Sequence, residues 1–156
     1  NLDIKQWRPS MAAQVIRTIQ AHNASQRVCL ASFRARTLLK VRLLRYRGRT
    51  SLSREEIIMS QLAPALTHRL PGMGFAAQIP THVGPVRLDT KGVIQRFHRA
   101  GHRVDYWTIN DLSTAKALLD RGADGIMTDD PRSLAPLFPT SPKNATSSAD
   151  NPISRS

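Results

Sequence analysis

The 156-residue chain carries 23 Lys and Arg against 11 Asp and Glu, a formal net charge of +12, and 40% of its residues are apolar. That apolar share suits one globular domain with a buried core and excludes a disordered polyelectrolyte. No apolar run reaches the about 18 residues a bilayer span requires, and residues 1–15 lack the charged-then-apolar pattern of a secretion signal, so a cytoplasmic setting is the expectation. The single cysteine, Cys29, excludes an intrachain disulfide framework and a cysteine-based zinc site, and is expected as a small buried hydrophobe. The excess of positive charge raises nucleic acid as a partner. Only five of the 23 basic residues are Lys, however, and the dense stretch Arg34–Arg49 is interleaved with one aromatic residue, Tyr46. It matches no nucleic-acid motif, and no specific nucleic-acid role is expected.

In chain order, Asn1–Lys5 alternates as a strand, with Leu2 and Ile4 on one face and Asp3 and Lys5 on the other. Pro9 fits a first helical turn, and Met11, Val15, Ile16 and Ile19 recur at helical spacing. Val28–Phe33 reads as a buried strand, and Leu38, Leu39, Val41, Leu43 and Leu44 as a basic amphipathic helix. Gly48–Leu52 is a weaker strand. Ser53-Arg54-Glu55-Glu56 is a capping-box pattern that predicts a helix over Ile57, Ile58 and Leu62. After a loop broken by Pro64, Pro71, Gly72 and Gly74, Phe75–Ile79 predicts another strand, and Val86–Leu88 a further extended piece. Thr90 caps a helix that stops at Gly101; His102–Asn110 is a strand; Asp111 or Ser113 caps a helix that ends at Gly122; and Gly125–Thr128 is the last strand. Strands alternating with helices favour parallel pairing with crossover connections. Residues 139–156, rich in Pro, Ser, Thr and Asn, are expected as a disordered tail.

In parallel α/β folds chemistry gathers beyond the carboxyl ends of the strands. Asp3 and Lys5, Ser32, Trp107 and Asn110, and Asp129 and Asp130 fall at such ends. Each has a plainer reading. Asp3 and Lys5 suit an ion pair, Trp107 core packing, Ser32 a hydroxyl bonded to backbone, Asn110 and Asp111 a helix cap, and Asp129-Asp130-Pro131 a strand-to-helix turn. Asp105 shares a strand face with Trp107 and calls for a partner that the sequence does not name.

The ordered segments Asn1–Lys5, Ala31-Ser32-Phe33, Ala77–Pro80, Phe97–Gly101, Trp107–Asn110 and Gly122–Pro131 resemble the C-terminal part of the glycerophosphodiester phosphodiesterase domain family. The last two, similar to the family's "WTVN" and "GvDGIiTDrP", are the most specific. The resemblance implies an α/β fold, the C-terminal part of a (β/α)8 TIM-type barrel with about five β/α units over residues 1–138, since a full barrel takes ~250 residues. It implies hydrolysis of glycerophosphodiesters to glycerol 3-phosphate and an alcohol with a divalent metal, Ca²⁺ or Mg²⁺. Asp3 then stands where the family has a metal-binding Glu, Lys5 where its lysine meets the phosphate, and Trp107 where an aromatic residue flanks the substrate.

Asp3 is one methylene shorter than Glu. The family's His-Arg-Gly strand, Glu-x-Asp pair and second catalytic histidine have no counterpart here, and His22, His68, His82, His98 and His102 match none of the family's positions. No catalytic residue is therefore assigned, and this stretch alone is expected to be inactive, as a truncated part of a larger enzyme. A self-associating, non-catalytic half-barrel with open strand edges and a related phospholipase-type phosphodiesterase barrel are the alternatives.

Overall fold

The computed structural model describes residues 1–6, 8–68 and 70–138. Its elements are β1 (Leu2–Asp3), α1 (Ala12–Ala21), β2 (Cys29–Ala31), α2 (Ala35–Leu43), β3 (Arg49–Thr50), α3 (Arg54–Leu62), α4 (Pro64–Thr67), β4 (Ala76–Ile79), β5 (His82–Val83), β6 (Val86–Arg87), α5 (Lys91–Arg99), β7 (Arg103–Tyr106), α6 (Leu112–Asp120), β8 (Gly125–Ile126) and α7 (Pro131–Leu134). A 3-10 turn, Ala135–Leu137, follows. The expected tail, 139–156, lies outside the described residues.

Six strands run parallel in the order β1-β2-β3-β4-β7-β8. The two three-stranded groups join at Ser51 and Ala76, where a parallel bridge and the bond from Leu52 N–H to Ala76 C=O (2.8 Å) continue the ladder. Between β4 and α5 the chain makes an antiparallel hairpin, β5 with β6. The described residues therefore hold six β/α units where about five were expected. The strand expected only weakly at Gly48–Leu52 is β3, and it has no apolar alternation because Arg49 and Ser51 point into the concave side while Thr50 and Leu52 are buried on the other.

The strand faces separate cleanly. Ile4 and Leu30 turn outward into a cluster with Ile16 and Ile19 of α1 and Val41 of α2. Ala77, Ile79, Val104 and Tyr106 turn outward against Ile94 and Phe97 of α5 and Ala115 and Leu118 of α6. Burying a side chain such as Leu30, Phe97 or Ile79 contributes roughly 1.5–3 kcal/mol, and these two seams hold helices to sheet. On α2 only Leu38 and Val41 reach the core, while Leu39 and Leu43 stay exposed.

Local signals set the boundaries. Ser53 and Glu56 form the reciprocal capping box that starts α3; Thr90 caps α5 and Asp111 caps α6. Gly101 and Gly122 take the left-handed conformation, φ +80° and +107°, that ends α5 and α6. Pro9 does not open α1. It lies in a turn, and the helix begins at Ala12 with Met11 at the N-cap. Arg42 of α2 pairs through both terminal nitrogens with Glu56 of α3 and also donates to Thr50 Oγ1 and Ser51 C=O, fastening α2, β3 and α3 together.

Candidate active site

A cavity of about 340 Å³ lies at the carboxyl ends of the strands, and every parallel strand contributes to it. Asn1, Asp3 and Lys5 enter from β1, Ser32 and Phe33 from β2, Ser51 from β3, Gln78 from β4, Trp107 and Thr108 from β7, and Met127, Thr128 and Asp129 from β8. The two-residue period of a strand puts Asp3, Ser51, Gln78 and Trp107 on the concave face at this level.

The three residues singled out by the sequence, Asp3, Lys5 and Trp107, all reach this cavity. Asp3 is half-buried and Lys5 exposed, and among the described residues neither makes an ion pair, so the salt-bridge reading of these two fails. Trp107 is not a core residue. Its ring meets Phe33 edge-on, with centroids 5.9 Å apart and planes at 80°, a favoured aromatic arrangement that leaves Phe33 60% exposed at the rim.

Hydrogen bonds fix the polar wall. Gln78 Nε2 donates to Asn1 Oδ1 at 3.0 Å across the concave face, and Asn1 Nδ2 lies 3.9 Å from Met127 Sδ. Asn110 Oδ1 accepts from Thr128 Oγ1 and from Asp129 N–H, both at 2.9 Å, and its Nδ2 donates to Asp129 Oδ2 at 3.2 Å. Asn110 therefore locks the loop after β7 to the loop after β8. The paired acids divide their work: Asp130 caps α7 through Ser133, and Asp129 lines the cavity. Hydrogen bonds from Ser113 and from the Thr114 backbone pull the Asp111 carboxyl down to about 2, as suits a helix cap. Ser32 follows its plain reading, its hydroxyl donating to Ile4 C=O at 2.9 Å.

Phe33, Ser51 and Gln78 received no assigned role from sequence, yet all line the cavity, as does Asp129 at its strand end. Gln78 carried a usable signal, since it stands two residues before Pro80 at a strand end. Ser51 carried none. Among the described residues no histidine lines the cavity; His98 pairs instead with Asp124 at 2.8 Å between α5 and β8. Among the described residues no group of three His, Cys, Asp or Glu comes together that could hold a metal ion, so these residues by themselves do not fit a divalent-metal site.

At the opposite end of the strands the Asp105 partner comes into view. Arg103, two residues earlier on β7, donates to its carboxylate through Nε at 2.9 Å and pairs with it through a terminal nitrogen at 2.7 Å. Cys29 is half-buried beside this pair rather than in the core, and burial pushes its thiol up.

Comparison with known proteins agrees with this geometry. "Probable glycerophosphodiester phosphodiesterase 2" of Mycobacterium tuberculosis (strain ATCC 25618 / H37Rv) is 30% identical over 135 residues, which cover 83% of this chain and 50% of that protein. The chain thus spans about half the length of the curated relative it matches. A solved structure from Silicibacter pomeroyi DSS-3, assigned to the glycerophosphoryl diester phosphodiesterases, superposes with a TM-score of 0.63 at 24% identity, over 80% of this chain and 42% of that one, and shows a shared fold. The sequence profile of the Glycerophosphoryl diester phosphodiesterase family, a TIM-barrel family, matches residues 3–133. With strand-end cavity, fold and sequence in agreement, the chain belongs to the glycerophosphoryl diester phosphodiesterase family.

Proposed function

We propose that the protein to which these residues belong hydrolyses glycerophosphodiesters to glycerol 3-phosphate and an alcohol, and that the strand-end cavity is this chain's share of the active site. The observation that carries the reading is the convergence of Asp3, Lys5 and Trp107, with no ion pair among the described residues consuming the two charges, in one cavity of a chain from this family. Lys5 presents an ammonium to the phosphate, Trp107 and Phe33 form the wall against which the alcohol lies, and Asn110 holds the Thr128-Asp129 side in register.

The six parallel strands form an arc of the family's barrel, and the groups that move protons come from outside the described residues, since no histidine reaches the cavity. Asp3 is one carboxylate of a site for Ca²⁺ or Mg²⁺ whose other ligands also lie outside them. The test is release of glycerol 3-phosphate from a panel of glycerophosphodiesters by the full-length protein and by the 156-residue chain. Activity of the full-length protein, silence of the chain, and weakened Ca²⁺ or Mg²⁺ binding in full-length Asp3→Asn are expected. A full-length protein inert on the whole panel overturns the reading.

A second reading rests on the sheet edges. Among the described residues β1 and β8 each pair with one strand only, and exposed edges invite strand addition. Self-association of the chain through these edges predicts a dimer in sedimentation at micromolar concentration, and a compact monomer removes it.

A further inference from the structure

More than half of the exposed large apolar side chains of the described residues fall between Leu39 and Leu70. They are not scattered. Leu39 and Leu43 stand one turn apart on α2, Ile58 and Leu62 one turn apart on α3, and Met59 and Leu62 continue toward Leu66 on α4. The helices adjoin, α2 with α3 and α3 with α4. The Arg42–Glu56 bridge fixes which sides meet: Leu39 lies three residues before Arg42 and Met59 three residues after Glu56, so both flank the bridge. Leu43 and Leu62 are 73% and 80% exposed, values that core-facing leucines never reach.

The surround of this strip is as one-sided as its centre. From Arg34 to Arg54 the sequence carries Lys40 and seven arginines and no acidic residue. Arg36 and Lys40 are exposed on α2 beside Leu39 and Leu43, and Arg45, Arg47 and Arg54 are exposed at the adjoining loop and helix start. Glu56 is consumed by Arg42, which leaves Glu55 as the one exposed acid on α3. Exposed large apolar side chains gathered on adjoining helices mark an interaction site, and a second copy of a chain with net charge +12 would bring cations against cations. Nucleic acid offers the leucines nothing. A bilayer rich in anionic headgroups satisfies both halves, with leucines entering the acyl boundary and arginines meeting the phosphates.

We propose that the α2–α3–α4 face docks peripherally on an anionic membrane surface. The arrangement needs no spanning segment, and no helix among the described residues is long and apolar enough to be one. It is independent of the catalytic reading, because none of its leucines or cations lines the strand-end cavity.

The experiment is co-sedimentation of the chain with vesicles of phosphatidylglycerol and phosphatidylcholine in equal parts, beside vesicles of phosphatidylcholine alone. Binding to the anionic vesicles alone, weakening as salt rises, is expected. Each of Arg36→Gln and Lys40→Gln lowers the partition coefficient about fivefold. The exposed pair Leu43→Glu and Leu62→Glu abolishes binding with the circular-dichroism spectrum and melting midpoint kept. Equal binding to both vesicle types, no binding to either, or undiminished binding by the double leucine variant overturns the proposal. A dimer in sedimentation that Leu43→Glu dissolves also overturns it, and gives the face to a second copy of the chain.

Discussion

The two ends of the strand arc use the same residue types to opposite effect. At the amino-terminal end, a pocket of about 150 Å³ holds Arg49, Phe75, Arg103 and Asp105, and these three charges have internal partners: Arg103 pairs with Asp105, and the Arg49 guanidinium sits 4.1 Å from the Phe75 ring centroid. At the carboxyl end Asp3 and Lys5 have no ion-pair partner among the described residues. Charges satisfied within the fold hold it together, whereas charges left open at a cavity wall are available to a ligand. A family member can therefore vary one end for stability and keep the other for chemistry.

Substitutions at the two ends should separate cleanly. In the full-length protein, Lys5→Ala lowers kcat/KM for a glycerophosphodiester by about a hundredfold or more, the scale of removing one group that stabilises developing charge, with an unchanged urea midpoint. Asp105→Asn does the reverse. It leaves Arg103 with a neutral partner in a largely buried setting, lowers stability by about 2 kcal/mol in urea unfolding, and leaves KM unaltered in the folded fraction.

Asn110→Ala lies between these extremes. Loss of the lock between the β7 and β8 loops lowers kcat/KM about tenfold through misplacement of Thr128 and Asp129, while the Asp111 cap keeps α6 in place. Comparison of kcat with KM distinguishes this from mere unfolding, which lowers kcat with the amount of folded enzyme and spares KM.

The smallest effect is a pH dependence seated at the amino-terminal end of the strands. Burial holds the His102 imidazole below its ordinary value of 6.5, against an opposing backbone hydrogen bond at Gly74, and its Nε2 has no hydrogen-bond partner among the described residues. Below about pH 6.5 the unfolded chain takes up a proton that the folded protein resists, so this contribution to stability is complete above that pH and declines on acidification. Melting curves of His102→Leu, measured from pH 7.5 down to 5, should show a shallower fall than those of the parent chain.

How much of this was legible depended on where each residue's partner lay in the sequence. The helix caps at Ser53, Thr90 and Asp111 and the stops at Gly101 and Gly122 are local signals, read three or four residues at a time, and they hold in the structure. Strand β3 was legible only weakly, at Gly48–Leu52, because its inward residues are charged or hydroxylated, which leaves no apolar alternation to detect. The Asp105 partner was within reach of the sequence, since Arg103 shares its strand face two residues away. The cavity wall was legible only in part. Asp3, Lys5 and Trp107 follow from strand ends and family likeness, but the roles of Asn1, Ser51 and Gln78 depend on which distant strands face each other across the arc.

That cross-arc facing bears on how the molecule acquires its site. The Gln78–Asn1 bond and the contact between Asn1 and Met127 join residues 77 and 126 positions apart in sequence, and every pairing along the six-strand arc is a parallel crossover rather than a hairpin. Contacts so remote in sequence form only after long stretches of chain have been ordered between them, which slows folding relative to a helical chain of the same size. The cavity is then among the last features to assemble. Occupancy by a phosphate-bearing ligand would report on the completeness of the whole arc, and would stabilise it by mass action from its most non-local point.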